Sequence, residues 1–271
     1  MIKSVGMIGL GNMGSAIAKA IHKGNPDLNL NLMDRNHDRT QKLADDLNGQ
    51  VFKLDQLKEL IDESQVIIIG IKPKDISALM MSLKPYLSEK QSKLWISMAV
   101  SIPIDWLTSF TPSNHRWIRI MPNTPVEVNQ GWISYCYSDN LFEDDEDVFK
   151  ELMNEAGHLK YIAEDLFDIA GAMAGSSPAF IYQLIEAMSD AGVYHGLSRQ
   201  DAIEMAAQTV LGSAQMVLSS GRHPGQLKDA VTSPGGTTIR GVASLEQSGF
   251  RSAMIQAIDQ TYQYSVKLNE K

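Results

Sequence analysis

The sequence predicts an α/β protein in two parts, a doubly wound sheet over residues 1–162 and an all-α domain over residues 163–271. Three observations carry this. The apolar strand Ser4-Val5-Gly6-Met7-Ile8 runs straight into a glycine-rich turn. Further apolar strands then alternate with amphipathic segments, the pattern of helices crossing over a parallel sheet. From about Asp165 onward the strand signals stop and helical spacing takes over.

The first element is the most informative. Gly9-Leu10-Gly11-Asn12-Met13-Gly14 follows the strand at once, and Ser15 to Ile21 has helical spacing. Strand, G-x-G-x-x-G and helix in succession form the context of a Rossmann-like dinucleotide site, with glycines for the turn, for pyrophosphate approach and for helix–strand packing. The second strand, Leu28 to Met33, ends in Asp34-Arg35. An acid there grips the ribose diol of NAD, whereas an arginine suits the 2′-phosphate of NADP. Both are present, with Arg39 one helical turn on, so the residues leave the two cofactors open.

Gln41 to Leu47 reads as an amphipathic helix, and Val66 to Ile71 as a strand buried on both faces. Lys72-Pro73 lies just past its carboxyl end, where open α/β sheets bind ligands. Leu94 to Ala99 is the next strand, and Arg116 to Met121 enters the proline-clamped loop Pro122-Asn123-Thr124-Pro125. The acidic run Glu143 to Asp147 fits no calcium loop and reads as a solvated helix N-terminus.

In the second part, Ser177-Pro178 reads as N-cap and first position of a helix that Gly192 and Gly196 close. Ser198-Arg199-Gln200-Asp201 opens a helix running to Gly221, apolar around most of its circumference. A last helix follows Gly249. Helices with this much apolar surface need a partner, and a homodimer joined through this half is expected.

Composition narrows the function. A formal net charge of −8 argues against nucleic acid and anionic membranes as partners. The longest apolar run is too short to cross a bilayer, and Met1-Ile2-Lys3-Ser4 shows no secretory signal, so the cytoplasm is expected. The lone Cys136 sits in an apolar run, as a small buried hydrophobe. The six histidines form no i, i+4 pair, and no metal is expected.

The most specific stretch comes late. Val231-Thr232-Ser233-Pro234-Gly235-Gly236-Thr237-Thr238 sets the hydroxyls of Ser233, Thr237 and Thr238 around a glycine bend at the head of a helix beginning near Ile239, an arrangement suited to a small anion. Together with His223 to Ala230 before it, this octapeptide resembles the signature of the pyrroline-5-carboxylate reductases, enzymes that reduce a cyclic imine to proline. Lys72-Pro73, Met121-Pro122-Asn123-Thr124-Pro125 and Gly175-Ser176-Ser177-Pro178-Ala179 are similar to other elements of that family. Ser101 and Ser177 stand where the family usually has glycine.

The resemblance implies reduction of 1-pyrroline-5-carboxylate to L-proline by NADPH, with NADH use open because of Asp34. It implies cofactor contacts at Gly9, Leu10, Gly11, Asn12, Met13, Gly14, Asp34, Arg35, Ile71, Lys72, Pro73 and Ala99. Substrate contacts are implied at Ser233, Gly235, Gly236, Thr237, Thr238 and Asn123, with Thr238 and Ser176 closest to the chemistry. It also implies an intertwined homodimer, and a decamer as a higher form. Two alternatives stay open: a β-hydroxyacid dehydrogenase-like enzyme, for which Lys228 is the one interior lysine of the helical half, and a non-catalytic cofactor-sensing paralogue, motivated by Ser101 and Ser177.

Overall fold

Residues 2–269 are described by a computed structural model; Met1 and the last two residues, with what the sequence analysis expects of them, lie outside it. The chain divides into two units, Met1–Gly175 with Tyr262–Lys271, and Ser176–Thr261.

The first unit is built on one sheet. Its elements in order are β1 (Ser4–Ile8), α1 (Asn12–Gly24), β2 (Asn29–Met33), α2 (His37–Leu47), β3 (Gln50–Val51), α3 (Leu57–Glu63) and β4 (Val66–Ile69). There follow α4 (Pro73–Leu83), β5 (Leu94–Ser97), α5 (Ile104–Thr108), β6 (Arg116–Pro122), β7 (Gly131–Tyr137), α6 (Asp145–Met153) and β8 (Gly157–Tyr161). The strand order is β3-β2-β1-β4-β5-β6-β7-β8. The chain leaves β1 toward one edge and returns through β4 toward the other, so the doubly wound sheet switches direction between them.

β4 shows why the sheet sits where it does. Val66 and Ile68 point into one core with α1, α2 and α6, while Ile67 and Ile69 point into the other with α3, α4 and α5. All four are buried, and each such side chain contributes roughly 1.5–3 kcal/mol. On the second face Trp95 and Trp117 stack with ring centroids 5.3 Å apart.

Neighbouring strands are parallel except β6 and β7, whose short connection at Thr124–Val128 permits only an antiparallel return. β3 and β8 carry too little apolar alternation to be legible in the sequence: β3 has two residues, and β8 is a largely exposed edge strand. Cys136 is buried as expected, and that burial, with the nearby Glu164 carboxylate, pushes its thiol up to about 12.

The acidic run is not a solvated helix start throughout. Asp145 is buried, and its Oδ2 accepts from Arg116 Nε at 2.5 Å and from the Phe142 N–H at 2.8 Å. Arg116, itself buried on β6, also bonds Ser92 Oγ and lies over the Phe142 ring. An arginine in the sheet interior requires an anion, and Asp145 is the member of the run that reaches it.

The strand-to-helix change falls after Tyr161, close to the expected division at 162/163, whereas the first unit continues to Gly175. Glu164 explains this. Its Oε1 accepts from Arg119 Nη1 and from the Ile104 N–H, both at 2.8 Å. Phe167 packs with Ile104 and Cys136, and Asp168 accepts from Ser265 Oγ at 2.7 Å. These contacts tie the first helical residues and the chain's last turns to the sheet.

After α7 (Phe167–Ala170), a π-helical turn at Gly171–Ser176 leads directly into α8 (Ser177–Tyr194). Helical winding therefore starts before Ser177, which is the first residue of α8 and not its N-cap. The second unit also holds α9 (Arg199–Ser220), α10 (Pro224–Ala230), α11 (Thr237–Gln247) and the first part of α12 (Phe250–Asn269). α9 begins and ends as the sequence predicts: Ser198 Oγ accepts from the Asp201 N–H, and Gly221 closes it in the left-handed conformation. Gly192 lies inside α8 and does not terminate it. A Cβ there would stand 3.1 Å from the Ala202 Cβ, so glycine lets α8 and α9 approach closely.

In α9 only Ala202 and Ala206 are buried, while Ile203, Met205, Leu211, Met216 and Leu218 are exposed. The apolar surface expected of this half is therefore left uncovered within one chain. No helix among the described residues is long and apolar enough to cross a membrane.

Asp145→Ala leaves Arg116 buried without its anion and should cost about 3–5 kcal/mol. A urea titration should show the loss as a lower midpoint, with a double Arg116→Met, Asp145→Leu variant recovering most of it.

Candidate active site

The β1–α1 turn is held by contact distances that only hydrogen atoms satisfy. Gly9 has φ +96°, and a Cβ on Gly14 would lie 2.1 Å from the Gly9 carbonyl oxygen. A Cβ on Gly11, by contrast, would meet nothing within 4 Å. Two glycines are thus required by packing, and the third keeps a surface free. No side chain caps α1, so the N–H groups of its first turn face outward with the positive end of the helix dipole.

This turn forms one wall of a cleft of about 980 Å³ outside the carboxyl ends of β1, β2 and β4. Of the residues expected to touch a cofactor, Gly9, Gly11, Asn12, Asp34, Arg35, Ile71 and Lys72 line it. Asn36, Arg39, Leu54 and Asp75 line it as well. Of the remaining expected contacts, Leu10 and Ala99 have their side chains buried in the two cores, and Gly14 is buried against Gly9. Met13 packs against the core, and Pro73 starts α4. Those five support the turn and the strand ends; none lines the cleft. An open glycine, an uncapped helix start and two arginines fit a dinucleotide carrying phosphates.

Asp34 is the most engaged polar group of the cleft. Its Oδ2 accepts from the Leu10 N–H at 2.7 Å, and its Oδ1 from the Asn36 N–H and Arg39 Nη2, each at 2.8 Å. Burial alone would raise its pKa, but these hydrogen bonds and the Arg39 charge outweigh that and hold the carboxyl below its ordinary value. Arg35 Nη2 pairs with Asp75 Oδ2 at 3.1 Å.

In the second unit, the octapeptide forms a bend between α10 and α11. The Gly236 N–H donates to the Ser233 carbonyl at 3.1 Å, and Gly235 takes φ +70°, a left-handed conformation costly for any side-chain-bearing residue. Thr232 Oγ1 donates back to the Lys228 carbonyl at 2.6 Å and closes α10. α11 starts at Thr237 with no side-chain cap. Ser233, Thr237 and Thr238 are exposed beside these N–H groups.

A family model described as pyrroline-5-carboxylate reductase dimerisation matches residues 164–268, and one described as NADP oxidoreductase, coenzyme F420-dependent, matches residues 4–101. The pyrroline-5-carboxylate reductase of Pisum sativum is 36% identical over 94% of this chain and 92% of its own. The chain belongs to the pyrroline-5-carboxylate reductase family. Among solved structures, the Plasmodium falciparum pyrroline carboxylate reductase with NADP bound is 32% identical, with a TM-score of 0.85 over 99% of this chain and 98% of that one. The Streptococcus pyogenes 1-pyrroline-5-carboxylate reductase is 34% identical, with a TM-score of 0.84 over 97% of each chain.

Membership sharpens the meaning of the remaining expected site residues. Asn123 is largely committed within the chain: its Oδ1 accepts from the Trp132 N–H at 2.8 Å, and its Nδ2 donates to the Ala174 carbonyl at 3.0 Å. Ala174 stands four residues before Pro178, which has no N–H to offer in an α-helical register. Asn123 thus braces the π turn at Ala174. Single π turns of this kind occur often at functional sites.

The two departures from the family pattern differ physically. Ser101 has φ +64°, so glycine is the natural occupant and serine is strained. Ser177 is helical and needs no such freedom. Among the described residues no group of His, Cys, Asp and Glu is placed to hold a metal ion.

Gly11→Ala should leave the unfolding midpoint nearly unchanged but weaken dinucleotide binding at least tenfold by titration calorimetry, because its Cβ fills the ligand's space and no protein atom's. Gly14→Ala should lower the midpoint itself. Ser101→Gly should stabilise by about 1 kcal/mol, the relief of left-handed strain less glycine's entropy, measured by urea unfolding.

Proposed function

We infer that the protein reduces 1-pyrroline-5-carboxylate to L-proline with NADPH, the last step of proline biosynthesis. The observation that carries this is near-full-length similarity to pyrroline-5-carboxylate reductases in a chain with a phosphate-ready cleft and an uncapped, hydroxyl-rich bend. NADPH, when bound, supplies the hydride that reduces the imine carbon.

The chain's own residues bind and orient. The outward N–H groups at the head of α1, with Gly11, would hold the pyrophosphate, and Lys72 and Ile71 would lie along the cofactor. The N–H groups of the first turn of α11 and the hydroxyls of Ser233 and Thr237 would hold the substrate carboxylate, with Gly235 and Gly236 keeping that surface clear. A charge-assisted hydrogen bond contributes roughly 1.5–3 kcal/mol, and a helix end about 0.3–1. Two or three such contacts reach ~4–6 kcal/mol, a dissociation constant near a millimolar or somewhat below. No buried arginine is needed for that.

Thr238 Oγ1 would hydrogen-bond the ring nitrogen and orient the imine, with Ser176 on the π turn as the second hydroxyl near the chemistry. A protonated imine needs no strong acid, so proton balance is left to water. Residues 163–271 would join two chains into a homodimer through the apolar surface of α9, with a decamer as a higher form. The matched dimerisation model and that uncovered surface support the homo-oligomer. The cytoplasm is the proposed compartment.

Oxidation of NADPH, followed by absorbance with and without pyrroline-5-carboxylate, tests the activity. Imine-dependent turnover is expected; cofactor binding with no turnover would return the sensing alternative. Thr238→Ala should cut kcat/KM at least tenfold, about 1.4 kcal/mol, with the oligomeric state retained on gel filtration. Kinetics equal to the parent's would remove that role from Thr238.

A further inference from the structure

We propose that Asp34 is a positioning residue that sets cofactor choice through Arg39, and that it does not itself read the ribose diol; this rests on the protein being an NADPH-dependent reductase. An acid at the end of the second strand ordinarily grips both ribose hydroxyls of NAD with its two oxygens. Asp34 has little capacity left for that. Each carboxylate oxygen has two lone-pair sites. Oδ1 already accepts two donors, the Asn36 N–H and Arg39 Nη2, and Oδ2 accepts the Leu10 N–H. One site remains, and a two-handed grip on a diol would require Arg39 to leave.

The charges point the same way. The Asp34 carboxylate is neutralised by Arg39 at 2.8 Å, and Arg35 is held by Asp75 at 3.1 Å. Both arginines face the cleft, each tethered through one corner of its guanidinium. A guanidinium has five N–H donors in a rigid fork, so a tethered arginine keeps several for a doubly charged phosphate. Its geometry is set beforehand, so less side-chain freedom is lost on binding. The acid that would select NAD when alone thus becomes, once paired, the anchor of an NADP-selecting arginine. Removal of Arg39 frees an unneutralised Asp34, which repels a 2′-phosphate and accepts a diol.

The full-length enzyme and its Arg39→Ala, Arg39→Lys and Asp34→Asn variants would be compared by kcat/KM for NADPH and NADH, and by calorimetric titration with 2′-phospho-ADP-ribose and ADP-ribose. Arg39→Ala should lower the NADPH/NADH ratio about 100-fold, mainly through KM for NADPH, with ADP-ribose affinity held or improved. Arg39→Lys, a point charge without the fork, should recover about a tenfold share of that ratio. Asp34→Asn should also lower the ratio, through loss of 2′-phospho-ADP-ribose affinity. The proposal is overturned if Asp34→Asn costs ADP-ribose and NADH more than their phosphorylated counterparts, or if Arg39→Ala weakens both ligands equally. The two titrations judge it independently of turnover. An enzyme that binds them as described yet leaves the imine untouched would sink the function and not this inference.

Discussion

The cleft at the carboxyl edge of the sheet depends on one close approach. The start of α1 lies against the end of β1 so tightly that a single methyl on Gly14 would sit 2.1 Å from the Gly9 carbonyl oxygen. That contact brings the open end of α1 to the carboxyl edge of the sheet, beside the point where strand order reverses between β1 and β4. The sheet itself is held by apolar faces on both sides, which fixes the strand ends as a rigid rim. A ligand site can then be made of backbone N–H groups, with charge supplied by a few side chains at the β2 end.

Charge in this protein is placed by pairing. Arg116 with Asp145, Arg119 with Glu164, Arg39 with Asp34 and Arg35 with Asp75 each set a cation against a carboxylate at 3.1 Å or less. The first two are largely withdrawn from solvent and tie α6 and the post-sheet helical segment to β6, because a guanidinium inside a sheet cannot be left alone. The latter two lie at the cleft, where partial neutralisation leaves donors over for a ligand. Similar pairs thus close off charge in one place and leave donors open in another, the difference being solvent access.

What could be read early was local. The bounds of α9 followed from Ser198 and Gly221, because a cap and a left-handed stop act within a turn of the chain. Ser4 to Ile8 and Val66 to Ile71 were visible as strands because burial shows as apolar runs, although the latter strand ends at Ile69. β8 was not visible, since an exposed edge strand needs no such run. The N-cap expected at Ser177 failed because the π turn before it, braced by Asn123 from far along the chain, continues the winding that a proline would ordinarily begin.

Sequence alone determined the glycine turn, the alternation of strands and helices, the late octapeptide and, through these, the family. Each is a property of neighbouring residues and survives without a partner. Tertiary structure decided which of five acidic residues is buried, that the Asn123 amide bonds Trp132 and Ala174, and that Asp34 already accepts three hydrogen bonds. Those outcomes depend on which group lies across a gap of a few ångströms, and hydrogen-bond and ion-pair energies fall away over that distance. Spacing along the chain carries no record of it.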